Sequence, residues 1–348
     1  MMAEDSLSTR FDMGNMYLDS EDEKEQRRGI EIIGELAIDG YSPAQCLLGY
    51  LYWKGFHLPQ SREKAVKWYK RAVQENNAEA KFSLGWIYLS DSKSDNDIQE
   101  GLRLMTEAAQ DGNCDAQDCL GECYHYGVFL EEDESAAWHF YKKAAESGSV
   151  NSLVQLGLMC QAGEGTSHDD AAAIPYFEAA AKQGDAKGKY YLGLAYLDGQ
   201  GVDVNDDKGC SLIESAAADG LELALDFLGN TYLSLGRDEE SDDEKRNEYF
   251  KEAAYYLSQA AEKNDAEGQW QLGWMYIRGE CFDKDEQKGR EYFEKAAGQD
   301  FSPAMVALGI CNEEGIGVFK NKMTAIHWYE KAAAQNNEEA IAALKRLR

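Results

Sequence analysis

The stretch YYLGLAYLDGQGV, residues 190–202, contains the pattern on which the whole chain is built. Leu192 and Tyr196 lie four apart, so on a helix they share one face. Gly193, beside Leu192, costs roughly 1 kcal/mol in a helix interior. It is therefore expected where a neighbouring helix comes close. The run Asp198-Gly199-Gln200-Gly201-Val202 then reads as the loop that ends the helix.

Outward from this stretch the pattern repeats. Leu-Gly recurs at Leu48, Leu84, Leu120, Leu156, Leu192, Leu228, Leu272 and Leu308. Met13-Gly14 opens the series and Leu344-Lys345 closes it, with intervals of 35, 36, 36, 36, 36, 36, 44, 36 and 36. Twelve residues before each leucine stands Ala72, Ala108, Ala144, Ala180, Ala216, Ala260, Ala296 or Ala332, with Leu36 in the first unit. A tyrosine follows the glycine by three in most units, and Cys160 and Asn312 replace it in two. Segments such as AAWHFYKKAA and TAIHWYEKAA supply a second helix with apolar residues at helical spacing. Its alanine is expected to oppose the glycine of the first helix. Gly148, Gly184, Gly220 and Asn336 then read as C-caps. Ser42-Pro43 and Ser302-Pro303 read as an N-cap followed by proline at the first helical position. Pro175 is expected to shorten or kink its helix. A period of this length signals a repeat array. The fold class expected is all-α: an α/α superhelical solenoid of about nine helix-turn-helix repeats plus a C-terminal capping helix. A short tail, 1–5, would precede a single solenoid over 6–348, with an acidic insertion in the repeat at about 228–271.

Charge narrows the partners. Acidic residues outnumber basic ones, 64 to 35, for a net charge of −29. Such a surface repels phosphate backbones and anionic lipid, so neither nucleic acid nor membrane is expected. A protein with a basic or basic-apolar segment is the natural complement. The opening MMAEDSLSTRFDMG has no basic region followed by an apolar one, and the eight cysteines follow no framework spacing. Both point to a reducing cytoplasmic setting. The polar last segment, ending in Lys345, Arg346 and Arg348, suggests a cap and a monomer.

At these residues the chain resembles the Sel-one-like repeat (SLR) family, relatives of tetratricopeptide repeats. YYLGLAYLDGQGV and LGICNEEGIGV with AIHWYEKAA follow its pattern, and the resemblance covers about residues 6–348. It implies an adaptor that holds partners. Some members are secreted, cysteine-rich and linked to penicillin binding; the irregular cysteines here depart from them.

The likeness to tetratricopeptide repeats implies groove positions two before the leucine, one after the glycine, and just after the tyrosine. These select Tyr50, Trp53, Phe82, Trp86, Tyr126, Tyr190, Trp270 and Trp274, flanked by Glu79, Asp115, Asp118, Asp226 and Glu267. Aromatic anchors in an acidic wall suit a segment bearing Lys or Arg and apolar side chains. The same spacing also suits core between repeats for Phe82, Trp86, Trp270 and Trp274. Trp138, Tyr141, Trp328 and Tyr329, on second helices, read as core.

Other chemistry finds little support. Cys114, Cys119, Cys123 and His125 lack the spacing of a zinc site. Asp203, Asp206 and Asp207 lack that of a calcium loop. No nucleophile elbow, phosphate loop, metalloprotease or dinucleotide motif occurs, so no catalytic residue, metal or cofactor is expected. His139 and His327 read as packed. The run Arg237–Glu244 reads as a solvated loop or a specificity loop, and Glu131–Glu134 as a helix start. A non-catalytic adaptor leads. A cytoplasmic immunity or inhibitor protein that neutralises a basic toxin follows, then a β-lactam-binding enzyme.

Overall fold

A computed structural model describes residues 2–90 and 94–347, with side chains from Ser6 onward. Arg348, part of the basic cap expected from the sequence, lies outside the described residues, as do the side chains of the expected tail. Among the described residues there are nineteen helices and no strand. They form nine sequential pairs, α1–α2 through α17–α18, and a terminal helix α19 (Glu338–Leu347). The backbone of α1 (Met2–Leu18) is already helical where a tail is expected. The chain forms two compact units, Met1–Ala180 and Ala181–Arg348.

Unit 1 contains α1, α2 (Glu23–Ile38), α3 (Ser42–Lys54), α4 (Arg62–Gln74), α5 (Ala78–Ser90), α6 (Asp95–Gln110), α7 (Cys114–Tyr126), α8 (Glu134–Glu146), α9 (Val150–Ala162) and most of α10 (Asp170–Lys182). Its core runs through successive pairs: Ile33, Leu36 and Leu48, then Tyr69, Leu84 and Leu104, then Tyr141 and Leu156. Unit 2 contains α11 (Ala186–Asp198), α12 (Asp206–Ala218), α13 (Glu222–Asp238), α14 (Asp243–Glu262), α15 (Ala266–Arg278), α16 (Glu286–Ala297), α17 (Ser302–Glu314), α18 (Lys322–Ala333) and α19. Ile213, Leu257, Phe293 and Tyr329 form its buried spine.

The pair contact differs from expectation in one respect. The ladder glycine faces the residue three before the alanine, which is large. A Cβ on Gly49 would lie 2.9 Å from Tyr69, on Gly121 2.6 Å from Tyr141, and on Gly229 2.7 Å from Leu257. Phe177, Phe293 and Tyr329 stand opposite Gly157, Gly273 and Gly309. Seven before the alanine the residue is small: Ala65, Gly101, Ala137, Ala173, Gly209, Ala253, Gly289 or Ala325. Where it is glycine, backbone meets backbone, as at Gly85 and the Gly101 carbonyl. The alanines themselves serve the next joint. Ala72 clusters with Ala80, Ala108 with Ala116, and Ala332 with Ala340, each pair joining a second helix to the following first helix. The large ring already fills the space opposite the glycine.

Helix ends follow local chemistry. Asn113, Asp133, Asp185 and Asn321 cap their helices by accepting a backbone N–H, which satisfies an otherwise orphaned donor. Asp133 thus begins α8 as expected. Ser42 and Ser302 do not act as caps: Tyr41 and Phe301 hold those positions without a side-chain bond, and the serines lie inside the first turn. Gly148, Gly184, Gly220 and Asn336 adopt the left-handed conformation that ends second helices. After α17, Gly317 (φ +63°) lies over the start of α16, and its N–H donates to Glu286 Oε2 at 3.1 Å. Pro175 does not shorten α10, which keeps the 13-residue length of its neighbours.

The insertion is helical. α13 has 17 residues and α14 has 20, joined across only 239–242. The extra residues lengthen both helices because the apolar stripe continues: Gly236 packs on Phe250, and Leu233 and Ala253 are buried. The expected solvated loop over Arg237–Glu244 is therefore reduced to its short turn. Arg237 donates to Glu280 at 3.0 and 3.1 Å, tying the turn to the loop after α15.

A polar seam runs along the position three before the ladder leucine. Gln45 Nε2 donates to the Ala37 carbonyl at 3.1 Å, and Gln117 Nε2 to that of Ala109 at 3.0 Å. Buried Lys81 donates to Asp111 at 2.6 Å and to Asn76. The glutamines tie a first helix to the carbonyl end of the preceding second helix, where orphan acceptors need donors, and Lys81 meets side-chain oxygens just past the ends of α4 and α6.

Gly121→Ala places a methyl against the Tyr141 ring and is expected to lose about 1–3 kcal/mol of stability. Gly34→Ala, where a Cβ meets nothing within 4 Å, is expected to gain up to about 1 kcal/mol by propensity alone. Thermal melts of the two variants check the sign difference.

Candidate protein-binding face

In unit 1, α3 and α5 place five expected residues around one open cavity of about 290 Å³: Tyr50, Trp53, Glu79, Phe82 and Trp86. Lys54, Tyr69, Ser83, Ile87 and Cys119 complete its lining. Tyr50 and Trp86 are exposed, at 41% and 48%, while Trp53 and Phe82 are half-buried. The helical period explains the grouping. Phe82 and Trp86 are four apart on α5, and Tyr50 and Trp53 three apart on α3. Asn113 Nδ2 donates to Glu79 Oε2 at 2.9 Å and orients the carboxylate.

An adjoining cavity of about 300 Å³ lies beside Pro43, Cys46 and Leu47, and shares Tyr50, Tyr69, Glu79 and Ser83 with the first. Of its lining residues, Pro43, Cys46, Leu47, Tyr69, Asn77 and Ser83 were not selected from the sequence. Tyr69 belongs to a second helix, and only its place three before Ala72 signals that it faces a first helix. Burial pushes the Cys46 and Cys119 thiols up to about 12, so both stay protonated and inert at neutral pH.

The remaining unit 1 candidates do not line these cavities. Asp118 accepts from Asn151 Nδ2 at 2.9 Å and from the hydroxyls of Ser149 and Ser152. It is a tie between α7 and α9. Asp115 is exposed, and Tyr126, 59% exposed, stacks on His125 at 4.5 Å.

Unit 2 treats its candidates differently. Tyr190 packs edge-on against Phe227, and Trp270 against Phe301. Trp274 meets Phe293 at 5.0 Å and carries the Arg278 guanidinium on its face at 5.1 Å. All three are half-buried against the core. Glu267 accepts from Asn230 at 3.0 Å. Asp226 is partly buried among Asp265, Glu267 and Glu222, and its Oδ1 has no hydrogen-bond partner. Burial first, then these carboxylates, raise its pKa to about 7.

On the second helices, Tyr141 and Tyr329 are buried, as expected of core. His139 and His327, expected to be packed, are exposed. Each lies two residues from the buried positions on either side, on the opposite face of its helix. Among the described residues no group of three His, Cys, Asp or Glu could hold a metal ion, and no helix is long and apolar enough to cross a membrane.

The Sel1 repeat model matches residues 42–77, 78–113, 115–149, 150–185, 186–221, 226–265, 266–301 and 302–337. The first pair lies outside these matches yet packs alike, with Gly14 on Ile33 and Gly29 on the Gly14 carbonyl. Over 95 residues the chain is 39% identical to the rat protein DAP3-binding cell death enhancer 1, and 34% to the Saccharomyces cerevisiae chitin synthase regulator SKT5. That stretch is 27% of this chain but only 18% and 14% of those proteins. Among solved structures, c5321, a protective antigen of uropathogenic Escherichia coli with an SLR fold, aligns with a TM-score of 0.60 at 24% identity. The alignment covers 98% of this chain and 87% of that one. A Sel1 repeat protein from Oxalobacter formigenes aligns with a TM-score of 0.52 at 26% identity, over 98% and 86%.

Two outcomes follow from the titrating groups. Asp226 holds a proton in the folded chain that the unfolded chain releases at lower pH. Its contribution to stability is therefore present at low pH and lost as pH rises towards about 7. Asp226→Asn is expected to melt above wild type near pH 8 and to flatten the pH dependence of Tm below about 7. Iodoacetamide at about pH 8 is expected to label exposed Cys210 and Cys281 and to spare Cys46 and Cys119. Peptide mass mapping reads this directly.

Proposed function

Because the chain belongs to the Sel1 repeat family, whose members are generally protein-interaction scaffolds, we propose that it is a non-catalytic adaptor. It holds a partner protein against the first helices of unit 1. The observation that carries this is the convergence of Tyr50, Trp53, Glu79, Phe82 and Trp86 on one open cavity. Rings exposed to water in a recess offer apolar area at low entropic cost, as interface anchors do. The net charge of −29 favours a partner segment bearing basic and apolar side chains and speeds encounter at low salt.

Two further observations support the reading. The relatives that share a quarter of this chain are named for binding one protein and regulating another. The thiols beside the cavities are raised in pKa, opposite to what a nucleophile requires. The location proposed is the cytoplasm.

Affinity capture with the intact chain tests this. Tyr50→Ala with Trp86→Ala is expected to lose partners that wild type and Tyr255→Ala retain; Tyr255 is 60% exposed and remote in sequence from the cavity. Equal recovery of the same partners by all three would remove the face from consideration.

A further inference from the structure

The two adjoining cavities of unit 1 differ in chemistry on either side of a shared wall. Pro43, Cys46 and Leu47 make one side apolar, and the Cys46 thiol stays uncharged. Trp53, Phe82 and Trp86 make the other aromatic. Tyr50 and Glu79 stand between them.

The chain shows what its aromatic faces attract. Lys288 lies over Tyr276 at 4.3 Å, Arg71 over Trp68 at 4.7 Å, and Lys331 over Trp328 at 4.7 Å. In unit 2, Trp274, two after the ladder leucine as Trp86 is, carries Arg278. Among the described residues no cation lies over Tyr50, Trp53, Phe82 or Trp86. Glu79 Oε2 accepts from Asn113 at 2.9 Å, and a carboxylate offers further acceptor sites. Lys54 borders the cavity but is exposed, so its ammonium can turn towards water.

We propose that these cavities form a two-part recognition site for an arginine and a nearby aliphatic residue of a partner segment. The guanidinium stacks between the unoccupied rings and meets Glu79, and the aliphatic side chain enters the cavity beside Cys46. This rests on the adaptor function proposed above and names the chemistry that the face selects. Arginine fits better than lysine. Its planar, weakly hydrated head stacks on rings and can present two donors to one carboxylate, whereas an ammonium stays strongly hydrated. Charge complementarity supports the assignment, since the chain carries a net charge of −29.

The probe is an acetylated, amidated peptide, Gly-Leu-Gly-Arg-Gly-Leu-Gly, titrated into the intact chain by calorimetry. Three analogues accompany it: one with lysine, one with neutral citrulline in place of arginine, and one with both leucines changed to alanine. The arginine peptide is expected to bind about tenfold or more tightly than the citrulline peptide, with lysine between them. Loss of the leucines is expected to weaken binding severalfold. Glu79→Gln keeps an oxygen for Asn113, so its fold is retained, and it is expected to shrink the preference for arginine over citrulline. Equal binding of arginine and citrulline peptides, no heat with any peptide at millimolar concentration, or an unchanged preference in Glu79→Gln each overturns the proposal. Partner loss in Tyr50→Ala with Trp86→Ala would still stand in those cases, so failure here is separable from failure of the adaptor function.

Discussion

The structure depends on one close contact: a glycine on the first helix of each pair facing a large side chain on the second. Gly49 under Tyr69, Gly121 under Tyr141 and Gly229 under Leu257 leave no room for a methyl group. The small residue one turn earlier on the second helix brings the backbones together, and at Gly85 and Gly101 they nearly touch. Packed interiors transmit such constraints because they contain little free volume. The same contact therefore sets the spacing of each pair. The alanine ladder then sets the spacing from one pair to the next.

Uniform pairs free other positions to vary. Positions two before the leucine and one after the glycine are not needed for the pair contact, and the chain uses them in two ways. In unit 2 they carry Trp270 and Trp274, which are covered by Phe301, Phe293 and Arg278 and strengthen the stack. In unit 1 the corresponding Phe82 and Trp86, with Tyr50 and Trp53 of the preceding pair, remain open around a cavity. The difference lies in what the neighbours supply. A cationic residue four after Trp274 reaches back over its ring, whereas Ser90 holds that place after Trp86.

The acidic surface divides in the same way. Asp118 ties α7 to α9 and accepts three bonds, so its charge serves the fold. Asp226 sits where neighbouring carboxylates and burial favour its proton. Glu79, oriented by a single amide, keeps acceptor capacity beside the open rings. Asp118 and Asp226, both two before the ladder leucine, thus differ according to whether the next repeat brings donors or other acids.

The amino-acid sequence by itself determined the helix pairs, their register and the glycine contact, because a period near 36 repeats each local choice many times and the copies reinforce one another. Five of the cavity residues were legible through the likeness to tetratricopeptide repeats, which implies groove positions on α3 and α5. Tertiary structure alone decided what each glycine faces, since the partner ring and the ladder alanine lie only three apart on one stripe. It also made the acidic insertion two longer helices, because Leu233, Gly236 and Phe250 found buried partners that composition could not reveal. Above all, it decided which aromatic positions stay open. A ring is sealed or exposed according to the side chains of adjacent pairs that reach it, and that depends on three-dimensional neighbours rather than on its place in the repeat.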